Sequence, residues 1–294
     1  MLAIYKKELK VYFSGLFGYL LIALCLLFAG AFVALMHLFA ALMHLLAASA
    51  DYAMSLVPMQ WVLIILVPFL SMRAIAEERH NRTDLLLYSL PLRSSDIVIG
   101  KYLAQLTLLG ISLLPMALYP LLLASMGDIS LPAAYVALLG YALMAAALIA
   151  LCTFLSSLFE NQVVAAVVSI AVLLALYFLP SILSLLPAAP IFSFVVCLLL
   201  CALIGLLIWR ATKSPFCGIL FAAIPAIAAS VLLIVARRLF DNLVVRVLSA
   251  VNPFTRYGGF TYGHLDLPAT VCYLTLIGVF LFLTVQSLEG RRRA

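Results

Sequence analysis

Arg73-Ala-Ile-Ala-Glu-Glu-Arg-His-Asn-Arg-Thr-Asp84 is a polar stretch between two long apolar segments, and it decides how the chain is organised. Charged residues make up only 10% of the 294 residues, yet six of them fall within these twelve positions. The apolar segments on either side are long enough to cross a membrane. The pattern therefore predicts two spanning helices joined by a polar loop that lies in water, where a partner can reach it.

The composition indicates a polytopic α-helical membrane protein. Hydrophobic residues account for 67% of the chain and the mean hydropathy is +1.27, whereas soluble domains are about 45–50% apolar. The apolar segments are continuous rather than alternating, which favours helices over barrel strands. The net charge of +6 is explained by basic residues kept at one membrane face, so we expect no nucleic-acid partner.

The hydropathy pattern predicts eight spanning helices in a single transmembrane domain, residues 1–294. Each predicted span holds about 20 predominantly apolar residues. The spans are 16–38, 57–76, 102–125, 132–159, 163–186, 191–209, 216–236 and 268–287. Several of them contain proline, so bends are expected within the helices.

The distribution of Lys and Arg predicts that both termini are cytoplasmic. In this orientation thirteen of the 17 basic residues lie inside: Lys6, Lys7, Lys10, Arg73, Arg79, Arg82, Arg93, Lys101, Arg210, Lys213, Arg291, Arg292 and Arg293. The four outside are Arg237, Arg238, Arg246 and Arg256. No basic residue occurs between positions 102 and 209, so hydropathy alone places the turn at 160–162 inside.

Two segments have the pattern of helices that lie along a membrane surface. Residues 1–14 are expected to place three lysines on one face and an apolar stripe on the other, formed by Leu2, Leu9, Tyr12 and Phe13. After the seventh span, residues 237–267 are predicted to lie outside the cell. They are read as an amphipathic helix across 239–248, followed by a loop across 252–260.

The chain lacks a nucleotide-binding P-loop. That motif requires G-x-x-x-x-G-K-[ST], and the only Gly-Lys pair is Gly100–Lys101. The first motif position is occupied by Ser95 rather than glycine, and Tyr102 follows the lysine. The chain is therefore not predicted to hydrolyse ATP in this way, and we expect no catalytic residue in it.

Cysteine and histidine give no indication of a metal site. The six cysteines include no C-x-x-C pair and are expected to be small buried hydrophobes. His37 and His44 lie seven residues apart, so a haem or copper site is conceivable. Polar residues at the outer end of the first span are the simpler interpretation. We predict no metal site and no cofactor bound by this chain.

The polar segment from Glu77 to Lys101 resembles the coupling segment of type-2 ABC transporter permeases. That family's pattern opens with E-E-R and closes with I-x-x-G-K. The matching residues are Glu77, Glu78, Arg79, Thr83, Leu86, Leu87, Pro91, Ile97, Gly100 and Lys101. Arg82 stands where the family usually has glycine. Residues 1–10 are similar to the family's amphipathic entry helix, and residues 161–166 and 281–289 are similar to the gliding-motility-type (GldF-like) subgroup.

The resemblance implies a membrane permease subunit that is not itself an enzyme. It implies a core of six spans, to which this chain adds a hairpin at 190–236, with the coupling segment at 77–101 in the cytoplasm. It also implies two copies of a separate ABC ATPase carrying ATP and Mg, a second identical or related permease, and export across a bacterial plasma membrane. The residues it assigns to ATPase coupling are Glu77, Glu78, Arg79, Arg82, Thr83, Asp84, Pro91, Gly100 and Lys101. It does not identify the substrate.

Two other functions fit parts of the sequence. A secondary transporter or a membrane scaffold would need no ATPase, but ion-driven carriers usually hold an ionisable residue in mid-bilayer, and none is predicted here. Glu77, Glu78 and Arg82 also match one motif of CAAX-type intramembrane proteases, and Phe260 with His264 matches another. The predicted topology separates the two motifs by about 30 Å of hydrocarbon, so they are not expected to form one active site.

Overall fold

The computed structural model describes residues 1–44, 52, 56–80, 93–124, 130–184 and 243–293. The predicted spans at 191–209 and 216–236, which form the predicted hairpin, lie outside these residues. Four of the predicted coupling residues also lie outside: Arg82, Thr83, Asp84 and Pro91. The side chains of His37 and His44 are likewise outside the description.

All regular secondary structure in the described residues is helical, which confirms the predicted class. Numbered in chain order, the helices are α1 (Leu2–Ser14), α2 (Leu16–His44), α3 (Gln60–Met72), α4 (Ala76–His80), α5 (Ser94–Met116), α6 (Tyr119–Ala124), α7 (Leu131–Leu158), α8 (Gln162–Ser184), α9 (Leu243–Val251), α10 (Pro253–Arg256), α11 (Gly258–Thr261) and α12 (Leu267–Arg293).

Within the described residues, five stretches of helix are long and apolar enough to cross a membrane. They are Gln60–His80, Ser94–Leu122, Leu131–Leu158, Gln162–Ser184 and Leu267–Arg292. A sixth candidate consists of α1 together with Gly18–Phe28 of α2, which meet at an angle of 72°. Each predicted span that falls within the described residues therefore has a helix at its position.

Two boundaries differ from the prediction. α5 begins at Ser94, well before the predicted start of the third span at 102. The seven residues before Lys101 are helical, and Lys101 itself is buried beside two carboxylates instead of being exposed to water. The predicted loop at 252–260 is not a simple loop, because it contains the short helices α10 and α11.

α7 is the most deeply buried of the candidate spans. Its buried positions include many small residues, among them Ala137, Ala145, Ala147 and Ala150. Small side chains allow neighbouring helices to approach closely in a membrane. α3 and α12 both pack against it. α8 and α12 are buried over much less of their length, as expected for helices that face lipid.

The segment just before α12 is fitted against the first half of α7. The ring of Phe260 lies where a Cβ atom on Gly140 would stand, so a larger residue at Gly140 would overlap it. Tyr257 donates a hydrogen bond to the carbonyl oxygen of Ala137 at 3.3 Å. Burial raises the pKa of the Tyr257 phenol well above its usual value, so the hydroxyl remains protonated as this donor. Gly263 has a φ of +75° and provides the turn that follows.

The chain forms two compact units: Met1–Tyr177 with Arg256–Ala294, and Phe178–Thr255. The described parts of the second unit are the end of α8, α9 and the start of α10. Asn252 Oδ1 accepts a hydrogen bond from the Phe254 N–H at 3.0 Å, which caps α10. Among the described side chains of α9, the exposed apolar residues are Val247, Leu248 and Val251. The placement of this helix at the outer membrane surface remains a prediction.

Candidate coupling site at the charged end of the bundle

Five helices bring their polar ends together on one side of the first unit, which we call the charged end. They are α1, α4, the first turns of α5, and the last turns of α7 and α12. They meet around an apolar cluster formed by Ile4, Ala74, Ile75, Ile97, Val98 and Leu288. This packing brings the N-terminus, the segment that begins at Glu77 and the C-terminal tail to the same end of the molecule.

Lys101 lies at the centre of a buried group of ion pairs at the charged end. Its side chain is 2% exposed, and its Nζ is 2.9 Å from Glu78 Oε1 and 3.0 Å from Glu8 Oε1. Lys7 Nζ contacts the same Glu78 oxygen at 3.2 Å. We call Lys7, Glu8, Glu78 and Lys101 the Lys101 cluster. Lys101 pairs with both largely buried glutamates, and Lys7, which is 53% exposed, adds the second positive charge from the surface. Such pairing matters because an unpaired charge away from water is strongly unfavourable.

The Lys101 cluster joins three helices. Lys7 and Glu8 belong to α1, Glu78 belongs to α4, and Lys101 lies two turns into α5. A movement of any one of these helices away from the others would separate charges in a largely dry environment. The cluster therefore couples the position of α1 and α5 to that of α4.

Gly100 allows α1 to lie close against α5. A Cβ atom at this position would be 3.2 Å from the Ile4 side chain and 3.3 Å from the Met1 carbonyl oxygen. Tyr5 adds a hydroxyl hydrogen bond of 3.0 Å to Thr107. Both residues of the Gly-Lys pair therefore take part in the contact between α1 and α5. The glycine leaves space for α1, and the lysine that follows binds its glutamate.

Arg79 connects α4 to the end of α7. The residue is only 7% exposed, and its guanidinium donates a hydrogen bond to the carbonyl oxygen of Ser157. The last carbonyl groups of a helix lack partners within the helix and carry partial negative charge. A guanidinium at this position is therefore favourable for α7 and at the same time holds α4 against it.

Ser156 of α7 holds the break between α3 and α4. Its Oγ accepts hydrogen bonds from the backbone N–H groups of Ile75 and Ala76, at 3.4 and 3.2 Å. The same hydroxyl donates to the carbonyl oxygen of Met72 at 3.2 Å. These backbone groups border the break, where the regular helical bonds are interrupted. α4 is therefore attached to α7 at its first residue as well as through Arg79.

Glu77 has a different environment from Glu78. Its side chain is 37% exposed and lies 3.8 Å from Arg73, one helical turn earlier. An exposed ion pair of this kind contributes little to stability. Of the two adjacent glutamates, Glu78 is engaged inside the protein, and Glu77 lies at the surface of the charged end.

The C-terminal helix supplies the positive charge that the turn at 160–162 lacks. Arg291 Nη1 lies 3.3 Å from Glu160 Oε1, and Nη2 donates a hydrogen bond to the Leu158 carbonyl oxygen at 3.0 Å. The turn therefore lies at the same end of the bundle as the basic tail. Sequence reasoning placed it there by hydropathy alone.

Of the predicted coupling residues, the structure describes five. Glu78, Gly100 and Lys101 are brought into one contact network. Arg79 of α4 lies beside this network and contacts the end of α7, and Glu77 faces outward. The predicted contacts of the remaining four, Arg82, Thr83, Asp84 and Pro91, remain predictions.

Sequence reasoning missed three residues of this site: Lys7, Glu8 and Ser156. Of the apolar stripe predicted on the first helix, Tyr12 is buried in the protein and Leu2 is 67% exposed. The face of α1 that packs on the protein is Ile4, Glu8 and Tyr12. A usable signal was present, because Glu8 is the one acid among three lysines and shares the four-residue spacing of that face.

A polytopic helical bundle in which most of the described basic residues and both motif glutamates lie at one end is typical of a membrane transport subunit. The family model described as ABC-2 family transporter protein matches residues 45–195, which is just over half of the chain. The protein belongs to this family. It is accordingly a membrane permease component of an ABC transporter, a class that in general acts with an ABC ATPase. No curated protein matches the chain.

Proposed function

We propose that this chain is the permease of an ATP-driven exporter, in which a separate ATPase binds the charged end and drives the spans through the Lys101 cluster. The observation that supports this most strongly is the cluster itself, because it connects α4, which carries the partly exposed Glu77, to α5 by the buried Lys101–Glu78 pair and to α1 by the Lys7–Glu78 pair. A force applied to α4 would reach α1 and α5 through these pairs, and α7 through Arg79 and Ser156.

The proposed division of roles within the E-E-R motif follows from exposure. Glu77 is at the surface and is assigned to the ATPase contact, together with the segment from Arg82 to Pro91. Glu78, Arg79, Gly100 and Lys101 are assigned to holding this segment on the bundle. ATP and Mg would be bound by the ATPase, since the chain lacks a P-loop.

The proposed assembly has two ATPases and two permeases, identical or related, in a bacterial plasma membrane. Basic residues are concentrated at the charged end, which favours placing it, with both termini, in the cytoplasm. The resemblance of the coupling segment to type-2 ABC transporter permeases supports export, and residues 161–166 and 281–289 are similar to the gliding-motility-type subgroup. The inserted hairpin at 190–236 would bring the spans to eight.

The first test is retention of an ATPase. The tagged protein is purified from native membranes in mild detergent, and co-purifying chains are searched for a P-loop sequence. Glu77→Arg is expected to reduce the retained ATPase. The control is Glu160→Arg, which reverses another exposed glutamate at the charged end. If the purified protein never retains an ATPase, the proposal fails. If both variants retain the same amount of ATPase, Glu77 is not part of the ATPase contact.

The second test is the orientation of the charged end. With the native cysteines replaced, single cysteines are placed at the exposed positions Arg93 and Leu265. A membrane-impermeant maleimide applied to intact cells is expected to label the Leu265 position and to reach the Arg93 position only after lysis. Labelling of the Arg93 position in intact cells would place the charged end outside, where ATP-driven coupling is not possible.

A further inference from the structure

An apolar groove runs along the outside of the bundle between α2 and α3. It has a volume of about 440 Å³, which is within the range of about 300–1,000 Å³ common for small-molecule pockets. Its lining consists only of apolar side chains: Leu20, Leu21, Leu24, Phe28, Trp61, Val62, Ile65, Leu66, Phe69 and Met72. With no polar group to orient a sugar, nucleotide or peptide, the lining suits a hydrocarbon chain.

The length of the groove matches one half of a bilayer. It extends along α3 from Trp61 to Met72, which is about 16 Å at a rise of about 1.5 Å per residue. The hydrocarbon core of a membrane is about 30 Å thick. Met72 directly precedes Arg73, so this end of the groove lies next to the charged end. At the opposite end, the Trp61 ring packs on Tyr177 with ring centroids 4.5 Å apart.

The groove has a buried floor and exposed edges. Val62 and Leu66 on the floor are 5% and 6% exposed, whereas Leu24 and Ile65 on the two edges are 41% and 53% exposed. It therefore opens sideways, into lipid, rather than toward a path through the bundle. Within a membrane, association depends on close packing and not on exclusion from water. A long flexible chain lying in a groove of this shape gains packing on three sides.

The end of the groove at the membrane surface is basic and aromatic. Arg73 follows Met72 directly and is partly exposed, and Lys10 is exposed on α1, the helix that leads into α2. Phe13 and Tyr19 form an edge-to-face pair at 5.6 Å between the two helices. Aromatic residues favour the level of the lipid headgroups, and basic residues at that level attract anionic lipids.

We propose that the groove between α2 and α3 binds one acyl chain of an anionic phospholipid from the leaflet at the charged end, with its headgroup beside Arg73. The match in length, the apolar lining and the basic mouth all point to this occupant. The site does not depend on ATPase coupling and would be present in the permease alone.

The test uses the full-length chain in vesicles of phosphatidylethanolamine and phosphatidylglycerol, with no ATPase. The probe is a phosphatidylglycerol that carries a diazirine in one acyl chain. After illumination, labelled peptides are identified by mass spectrometry. The label is expected to concentrate on both edges of the groove, around Leu24 and Ile65, above the level on the lipid-facing positions Leu274 and Val279 of α12.

A blocked variant gives the decisive comparison. Leu24→Trp with Ile65→Trp fills the groove and is expected to lower its label to the level on α12. The control, Leu274→Trp with Val279→Trp, adds the same bulk to a lipid-facing surface and should leave the groove label unchanged. If the blocked variant does not fold, competition on the unmodified chain replaces it. There, unlabelled phosphatidylglycerol should remove the groove label more effectively than phosphatidylcholine.

Three results would overturn the proposal. One is a groove label no stronger than that on α12, and another is a label that survives the blocked variant. The third is efficient disulfide formation between copies carrying Ile65→Cys, which would make the groove a contact between permeases. If phosphatidylcholine lowers the groove label as effectively as phosphatidylglycerol, the proposed preference for an anionic headgroup is wrong. None of these results bears on the binding of an ATPase.

Discussion

Replacing Lys101 with methionine would leave two buried carboxylates without their shared cation. Lys101→Met keeps the length and volume of the side chain, so packing against α1 and α4 is largely preserved. What is lost is the ammonium group that lies within 3.0 Å of Glu8 and 2.9 Å of Glu78. The perturbation therefore reports on the charge contacts of the Lys101 cluster rather than on a cavity.

The expected loss of stability follows from the burial of these groups. Removing one partner of a buried ion pair costs about 3–5 kcal/mol because the other charge is left uncompensated. The Glu8 and Glu78 side chains retain 11% and 15% exposure, and Lys7 still contacts Glu78. These features reduce the penalty, so we expect the lower end of that range, about 3 kcal/mol.

The free energy of unfolding is measured by titration with denaturing detergent in mixed micelles. Lys10→Met is the matched control, because Lys10 is exposed on α1, and surface changes usually stay within about 0.5 kcal/mol. Adding Glu8→Gln to Lys101→Met should cost less than the sum of the two single changes, with a coupling energy of about 1–3 kcal/mol. If Lys101→Met is no worse than Lys10→Met, or if the two changes add independently, the cluster does not join these helices.

Three further changes test the close contacts. Gly100→Leu should push α1 away from α5 and destabilise the protein by about 1–3 kcal/mol. The control Gly110→Leu lies on the same helix, has no atoms near its Cβ position and should leave the stability unchanged. Equal free energies of unfolding for the two variants would contradict the close approach of α1 to α5. Gly140→Ala should lower the thermal unfolding midpoint, and the decrease should be smaller when Phe260→Ala is also present. An equal decrease with and without Phe260→Ala would mean that the Phe260 ring does not occupy the space beside Gly140. Ser156→Ala should lower the free energy of unfolding by about 1–3 kcal/mol, because buried N–H groups lose their acceptor. The same detergent titration measures this change. An unchanged free energy of unfolding would show that the hydroxyl does not stabilise the break between α3 and α4.

The positions of the spans could be predicted because they depend on local composition. α7 occupies Leu131–Leu158, within one residue at each end of the predicted span at 132–159. A run of about 20 apolar residues favours a membrane helix whatever it packs against. The amphipathic pattern at the N-terminus also predicted a helix, and α1 covers Leu2–Ser14.

The internal contacts of the site could not be predicted, because they join distant parts of the chain. Glu8 and Lys101 are 93 residues apart, and no local pattern indicates that they meet. When Glu8 is not known to lie beside it, Lys101 looks like the end of a water-exposed loop, and the third span is therefore predicted to start only at 102. Adjacent Glu77 and Glu78 look equivalent in sequence, but consecutive helical residues point about 100° apart. Only the packing of α4 decides which of them is buried.

The fit of Phe260 against α7 was missed for a similar reason. In the sequence, Gly140 looks like one more small residue in an apolar span, and Phe260 looks like part of a polar loop. Their contact depends on the chain returning to the same helix after 120 residues. Short helices such as α10 and α11 have no periodic signal long enough to be recognised.

The separation between Glu8 and Lys101 also determines when α1 can be fixed in place during synthesis. At about 5–20 residues per second, Lys101 emerges from the ribosome roughly 5–20 s after Glu8. Throughout that interval α1 carries three lysines and one glutamate, but the Lys101 cation that pairs with Glu8 has not yet been made. Docking of α1 on α5 therefore has to wait until the chain has grown by about another 93 residues.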